Sequence, residues 1–130
     1  MQIRLYPFGF VVSESMKGEK VMQEIQPEDL LARFKELEFL LSKKVEFSYK
    51  KIAPYLFTLS SKKFNSLKNK HKEINLSLVA ALHGNEIGGI AVLNLILEKI
   101  LSEEIILNET LAFAVGNPKA VQKKVRFLER

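Results

Sequence analysis

His83 and Glu86 stand three residues apart, where an apolar run gives way to the turn His83-Gly84-Asn85-Glu86. A neutral imidazole nitrogen and a carboxylate oxygen are both good zinc ligands. Gly84 permits a tight turn, so the two side chains can converge on one point. Two ligands alone hold zinc poorly; a catalytic site needs a third protein ligand and an open position for water. A plain turn with a hydrogen-bonded histidine has the same spacing, and the spacing alone does not separate the two. Gly88 and Gly89, just inside the following helical run, allow close approach of backbone or substrate at some cost in helix propensity. A second segment, Gly116-Asn117-Pro118, follows the next apolar run. Asn117 suits the N-cap of a helix that has Pro118 at its first position.

Composition narrows the metal chemistry. The chain of 130 residues has no cysteine and two histidines, His71 and His83. Disulfides and thiolate metal sites are excluded, and so is a three-histidine site within one chain. Any Zn2+ must be held by His, Asp or Glu. The sequence is 47% hydrophobic and 27% charged, a balance that folds, and its length suits one domain. No apolar run reaches the roughly 20 residues of a membrane-spanning helix, and the start lacks a signal-peptide pattern. A cytoplasmic location with no membrane partner is therefore expected. The net charge of +5 concentrates in Lys62, Lys63, Lys68, Lys70, His71 and Lys72. This stretch has one aromatic, Phe64, and reads as a solvated hairpin tip rather than a nucleic-acid surface.

The elements that must position these residues follow from periodicity. Gln2 to Val12 reads as a strand. Pro27 opens a helix to Lys44, with Glu28 and Asp29 in its first turn and Leu30, Leu31, Phe34, Leu37, Leu40 and Leu41 on one face. Tyr55–Leu59 and Ile74–Leu82 read as the two strands of a hairpin. The second ends in a continuous apolar run, which a sheet covered on both faces requires. Ile87–Leu101 reads as a largely buried helix, with Ile90, Leu93, Leu97 and Leu101 in one stripe widened by Val92, Leu95 and Ile96. Leu111–Val115 is a further strand, and Pro118–Leu128 can form another helix. Strand, helix, strand, helix makes a βαβα unit, so the last two strands should be parallel. The fold class is α/β: a partial mixed or parallel sheet with flanking helices. Ligands of such sheets bind beyond the carboxyl ends of the strands, where His83 and Asn117 both fall.

Ala81-Leu82-His83-Gly84-Asn85-Glu86-Ile87-Gly88-Gly89 resembles the strand-end metal motif of the succinylglutamate desuccinylase/aspartoacylase family. Gly116-Asn117-Pro118-Lys119-Ala120-Val121, followed by Arg126-Phe127-Leu128-Glu129, resembles that family's second block. The resemblance covers about Tyr55 to Arg130. It divides the chain into an N-terminal strand–helix extension, residues 1–50, and the N-terminal part of a zinc amidohydrolase domain, residues 51–130. It implies a zinc carboxypeptidase-like fold, and His83 and Glu86 as the first two zinc ligands. It also implies Arg126 as the catalytic arginine that polarises the scissile carbonyl and holds the oxyanion, with Asn117 as the turn asparagine on the substrate side. In the family an Asp-Leu-Asn-Arg block, a third histidine ligand and a glutamate base come later than the residues present here. His71 lies upstream of the motif and does not match that third ligand. The chain is therefore expected to be a truncated chain, a fragment or a degenerate relative.

The resemblance implies zinc-dependent hydrolysis of the amide bond of a small-molecule N-acyl amino acid by the intact protein. The alternative is a non-catalytic binding or oligomerising module derived from that fold. A half-sheet exposes an edge and an uncovered apolar face, which leaves room for a homo-oligomer.

Overall fold

The structure is a computed structural model that describes residues 3–6, 10–14, 20–24, 26–63, 74–83 and 87–123. The first three stretches are strands β1 (Ile3–Tyr6), β2 (Phe10–Glu14) and β3 (Lys20–Glu24), paired antiparallel in that order. The single strand expected over Gln2–Val12 is thus two, separated in sequence by the breakers Pro7 and Gly9.

Helix α1 spans Pro27–Ser42. Pro27 occupies the first turn, where its missing N–H is not needed. Glu28 and Asp29 place negative charge at the positive end of the helix dipole. Leu31, Phe34, Leu37 and Leu41 are buried as the spacing requires, whereas Leu40 lies at the rim, exposed. Lys43 caps the C-terminal end, and its Nζ sits 5.2 Å from the centre of the Phe39 ring.

A four-stranded mixed sheet follows, in the order β4-β5-β7-β6. Strand β4 (Phe47–Ala53) and β5 (Leu56–Ser61) form the hairpin, turning at Pro54-Tyr55. Tyr55 has φ 62°, the backbone a type II turn needs after a proline. Its ring stacks on Phe34 at 6.1 Å and lies under the Lys35 ammonium at 4.7 Å. The hairpin expected between Tyr55–Leu59 and Ile74–Leu82 does not form. Strand β7 (Leu111–Val115) lies between β5 and β6 (Leu76–Ala80), antiparallel to the first and parallel to the second. Its five residues, Leu-Ala-Phe-Ala-Val, are all apolar and suit the position with a neighbour on each side.

Helix α2 (Gly88–Leu101) joins β6 to β7, so the expected βαβ unit is present. Registered partners share a face of a sheet. Phe57, Phe113 and Leu78 therefore line one face, with Leu59 and Leu111 beside them. Helices α1 and α2 cover that face. Phe34 meets Phe57 at 5.6 Å, Phe57 meets Phe113 at 5.3 Å, and Ile90, Leu93, Leu97 and Ile100 complete the core. Along β6 the other face is open: Ser77 is exposed and Val79 half-exposed. The apolar run there is not covered on both sides, because both helices named above pack on the Phe57–Phe113 face. For the same reason α2 buries one side only. Val92 and Leu95, read as widening its buried stripe, face solvent instead.

Three polar contacts tie α1 to its neighbours. The Arg33 Nε and Nη2 both donate to Glu98 Oε1, at 2.9 and 2.8 Å. Both partners are well exposed, so this pair contributes no more than about 1 kcal/mol. Asn94, buried in α2, donates Nδ2–H to the Leu30 carbonyl at 3.0 Å, while its Oδ1 has no protein partner. The Tyr49 hydroxyl donates to Glu38 Oε2 from β4 to the buried face of α1.

Burial, together with the hydrogen bond to Glu38 and its charge, raises the Tyr49 hydroxyl well above the usual tyrosine range. Folded Tyr49 therefore keeps a proton that the unfolded chain loses above about pH 10. The stability this contributes is complete below that pH and falls as pH rises beyond it. Tyr49→Phe leaves the Glu38 carboxylate buried without its donor. Urea unfolding at neutral pH should show a loss of about 1–3 kcal/mol. The decline in stability between about pH 10 and 11 should be shallower in the variant than in the parent chain.

Candidate functional site

The carboxyl ends of β6 and β7 lie side by side because the two strands are parallel and in register up to Ala80↔Val115. Pairing continues one step into the loops. Gly116 N–H donates to the Ala80 carbonyl at 2.7 Å, and Asn117 N–H to the Ala81 carbonyl at 3.0 Å. The two segments singled out by sequence, after β6 and after β7, are thereby held against each other by backbone hydrogen bonds.

The β6 loop begins with a conformational switch. Ala81 is buried and has φ 56°, in the left-handed region. A residue with a Cβ enters this region at a cost of roughly 1 kcal/mol, and such residues cluster where a chain must be re-aimed abruptly. Here the switch ends β6 and turns the chain outward through Leu82, which is exposed, to the half-buried His83. The strand read as ending at Leu82 thus stops two residues earlier, at Ala80.

Close packing of small residues brings the surrounding elements together. A Cβ on Gly89, in the first turn of α2, would come within 3.3 Å of the Ala80 Cβ. Glycine at 89 is what lets α2 start this near the end of β6. A Cβ on Gly116 would come within 2.9 Å of Leu82 Cδ2 and 3.2 Å of Leu82 Cα.

Asn117 heads the short helix α3 (Pro118–Gln122), and its Oδ1 accepts from the Ala120 N–H at 3.3 Å. The capping role read from sequence is the one this side chain plays. The continuation of that helix to Leu128 falls in residues 124–130, outside the described residues, as does Arg126. Glu86 lies in residues 84–86, also outside them. Of the residues singled out by sequence, the described part of the structure places His83 and Asn117. His71 and most of the basic stretch fall outside as well, in residues 64–73.

Among the described residues no three His, Cys, Asp or Glu side chains gather into a metal-holding group. Of the two donors expected from sequence, His83 lies in the loop after β6 and Glu86 falls outside the described residues. A catalytic zinc requires three protein ligands. Two surface clefts, of about 490 and 290 Å3, lie elsewhere. One is lined by Arg33, Leu95, Glu98 and Lys99, the other by Glu46, Phe47, Ile100 and Leu107. Both sit around the last turn of α2, and a helix of 14 residues puts that end about 20 Å from the end next to His83. Sequence reasoning missed Ala81, Leu82 and Gly116 as determinants of the site. Gly116 was legible as a turn former, but its contact with Leu82 needs the β6–β7 register.

Residues 72–130 match the family described as succinylglutamate desuccinylase/aspartoacylase catalytic domain. This is the β6–α2–β7–α3 unit and the flanking segments that carry His83, Glu86, Asn117 and Arg126. That segment is similar to the succinylglutamate desuccinylase/aspartoacylase family. Among curated relatives, succinylglutamate desuccinylase of Shewanella piezotolerans is 36% identical over 66 residues, 51% of this chain and 19% of the relative. The enzyme of the same name from Shewanella frigidimarina is 39% identical over 61 residues, 47% of this chain and 17% of the relative. That of Shewanella pealeana is 35% identical over 66 residues. The chain thus spans about a fifth of the length of these family members. No solved structure gives a significant match. No helix among the described residues is long and apolar enough to cross a membrane.

The capping role of Asn117 is tested by substitution. Asn117→Ala should lower stability in urea unfolding by about 1 kcal/mol, and Asn117→Asp, which keeps an oxygen acceptor for the Ala120 N–H, by a few tenths at most.

Proposed function

We propose that the intact protein hydrolyses the amide bond of an N-acyl amino acid, of the N-succinylglutamate or N-acetylaspartate type, at a zinc site to which this segment contributes two ligands. One observation carries the reading. The family match falls on the βαβ unit whose adjoining strand ends bear His83 and the Asn117 turn, latched together by the Gly116–Ala80 and Asn117–Ala81 hydrogen bonds. Residues 51–130 are then the N-terminal part of a zinc carboxypeptidase-like amidohydrolase domain and residues 1–50 an extension. A cytoplasmic site of action suits a small, charged substrate.

The donor set fits zinc in part. His83 would give a neutral imidazole nitrogen and Glu86 a carboxylate oxygen; a third ligand must come from residues other than those described. Bound by a complete set, zinc supplies a water acidified toward neutral pH and a polarised carbonyl. The segment's own residues have separate tasks. The Ala81 switch and the latch to β7 fix the direction of His83. Asn117 orders the turn that faces the substrate. Arg126 would aim a guanidinium at the oxygen where negative charge develops in the transition state, an arrangement whose loss costs about 100- to 1000-fold in kcat. The base that takes the water's proton, and the group that binds the substrate carboxylate, are expected elsewhere in a longer chain.

A second reading is favoured by the β6 edge. Ile74, Leu76 and Val79 are each about half exposed there, a surface that suits an oligomerising module without catalysis.

Amino-acid release separates the two readings. The 130-residue chain should give no useful turnover, because groups that act as a unit lose nearly everything when several are missing. A longer protein containing this segment should release glutamate from N-succinylglutamate or aspartate from N-acetylaspartate, stop with a chelator and recover with zinc. In it, His83→Ala and Glu86→Ala should lose metal, whereas Arg126→Ala should keep metal and lose mainly kcat. Chelator-resistant turnover by the short chain would overturn the proposal. A longer protein that is inactive but associates through β6 would favour the module.

A further inference from the structure

We infer that Gly116 is a positioning residue for His83, acting across the strand boundary by leaving room for the backbone of the β6 loop. This rests on reading His83 as a metal ligand. The Gly116 N–H is pinned to the Ala80 carbonyl at 2.7 Å, so residue 116 cannot drift away from the end of β6. From that fixed point a Cβ would meet three atoms: Leu82 Cδ2 at 2.9 Å, Leu82 Cα at 3.2 Å and the Ala81 carbonyl oxygen at 3.4 Å. The first contact is cheap to relieve, because Leu82 is 66% exposed and its side chain can swing into solvent. The second is not. It is closer than a Cβ ordinarily approaches, and the atom it meets is backbone, directly before His83. A side chain at 116 must therefore push Leu82 Cα, and His83 with it.

Two further facts sharpen this. The φ of Gly116 lies outside the left-handed region, so an alanine there does not meet the penalty of that region. The effect of Gly116→Ala is then the effect of the contact. Ala81, already at φ 56°, sits in a narrow allowed region and cannot absorb the displacement by a large rotation. The shift is passed forward to His83 instead. The second sequence block thus acts on the first ligand without touching it: the carboxyl end of β7 sets where the imidazole stands.

The test uses the full 130-residue chain and four forms: parent, Gly116→Ala, Leu82→Ala and the double variant. Backbone amide spectra without metal report the position of His83. Carbon–proton spectra of the histidine rings during zinc titration report its ligation, with His71 as internal reference. Gly116→Ala should move the His83 amide and weaken the zinc response of its ring about tenfold, the scale on which groups that orient a metal ligand act. Leu82→Ala alone should do neither. The double variant should resemble Gly116→Ala, because the contact with Leu82 Cα remains. An unmoved His83 amide, an unchanged zinc response, or full recovery in the double variant overturns the inference. Where the parent His83 ring does not respond to zinc, as two ligands alone allow, the amide comparison decides the role of Gly116 on its own.

Discussion

Two parallel strands cannot be joined by a tight turn; the chain must travel back along the sheet before the second strand starts. In this protein that return is α2, and nearly everything else depends on it. The helix must be long enough to recross the sheet, so it brings the buried stripe Ile90, Leu93 and Leu97 over β7 and β6. It must start close to the end of β6, so Gly89 stands where a Cβ would press on Ala80. Because β6 and β7 run the same way, both carboxyl ends open at one edge of the sheet, and two segments about thirty residues apart in sequence become neighbours. The hairpin β4–β5 and helix α1 complete the layer. Their aromatic row, Phe34 to Phe57 to Phe113, anchors the parallel pair to the rest of the core.

Much of this frame was legible in the sequence. Helix α2 announced itself by length and apolar spacing, α1 by its proline and acidic opening, β7 by five consecutive apolar residues. What failed was the order of the sheet. Tyr55–Leu59 and Ile74–Leu82 are successive strand-like runs, and successive strands usually pair, yet β7 arrives later and takes the place between them. Local pattern cannot register that choice, because it is made by which strand has enough apolar surface for two neighbours. Strand β4 was hidden for a different reason. A register shift between Lys51 and Ala53 breaks its alternation and leaves Ile52 exposed. Exposure along β6 and α2 was misjudged because apolar residues mark what can be buried, not what the layers in hand suffice to bury.

At the site, chemistry was more readable than position. A histidine, a carboxylate and a glycine turn at a strand end are visible in a string of letters. The left-handed backbone at Ala81 is not, since alanine gives no hint of it. Nor is the reach of Gly116 to Leu82, which exists only through the register of β6 on β7. The family segment therefore divides into residues whose types carry the chemistry and residues whose smallness carries the geometry, and only the first kind stands out before the fold is known.

That division has an evolutionary consequence. At position 81 the backbone admits alanine, glycine or asparagine far more readily than a β-branched residue. At position 116 a Cβ would stand 3.2 Å from the Leu82 Cα, so any side chain there requires the adjoining backbone to give way. These limits come from how two strands end beside each other and make no reference to metal or substrate. A descendant that had lost the reaction but kept the sheet would still be held to the same small residues. In this lineage, invariance at 81, 89 and 116 would record the survival of a strand junction, while drift at 83, 86 and 126 would be the mark of a chemistry that had lapsed.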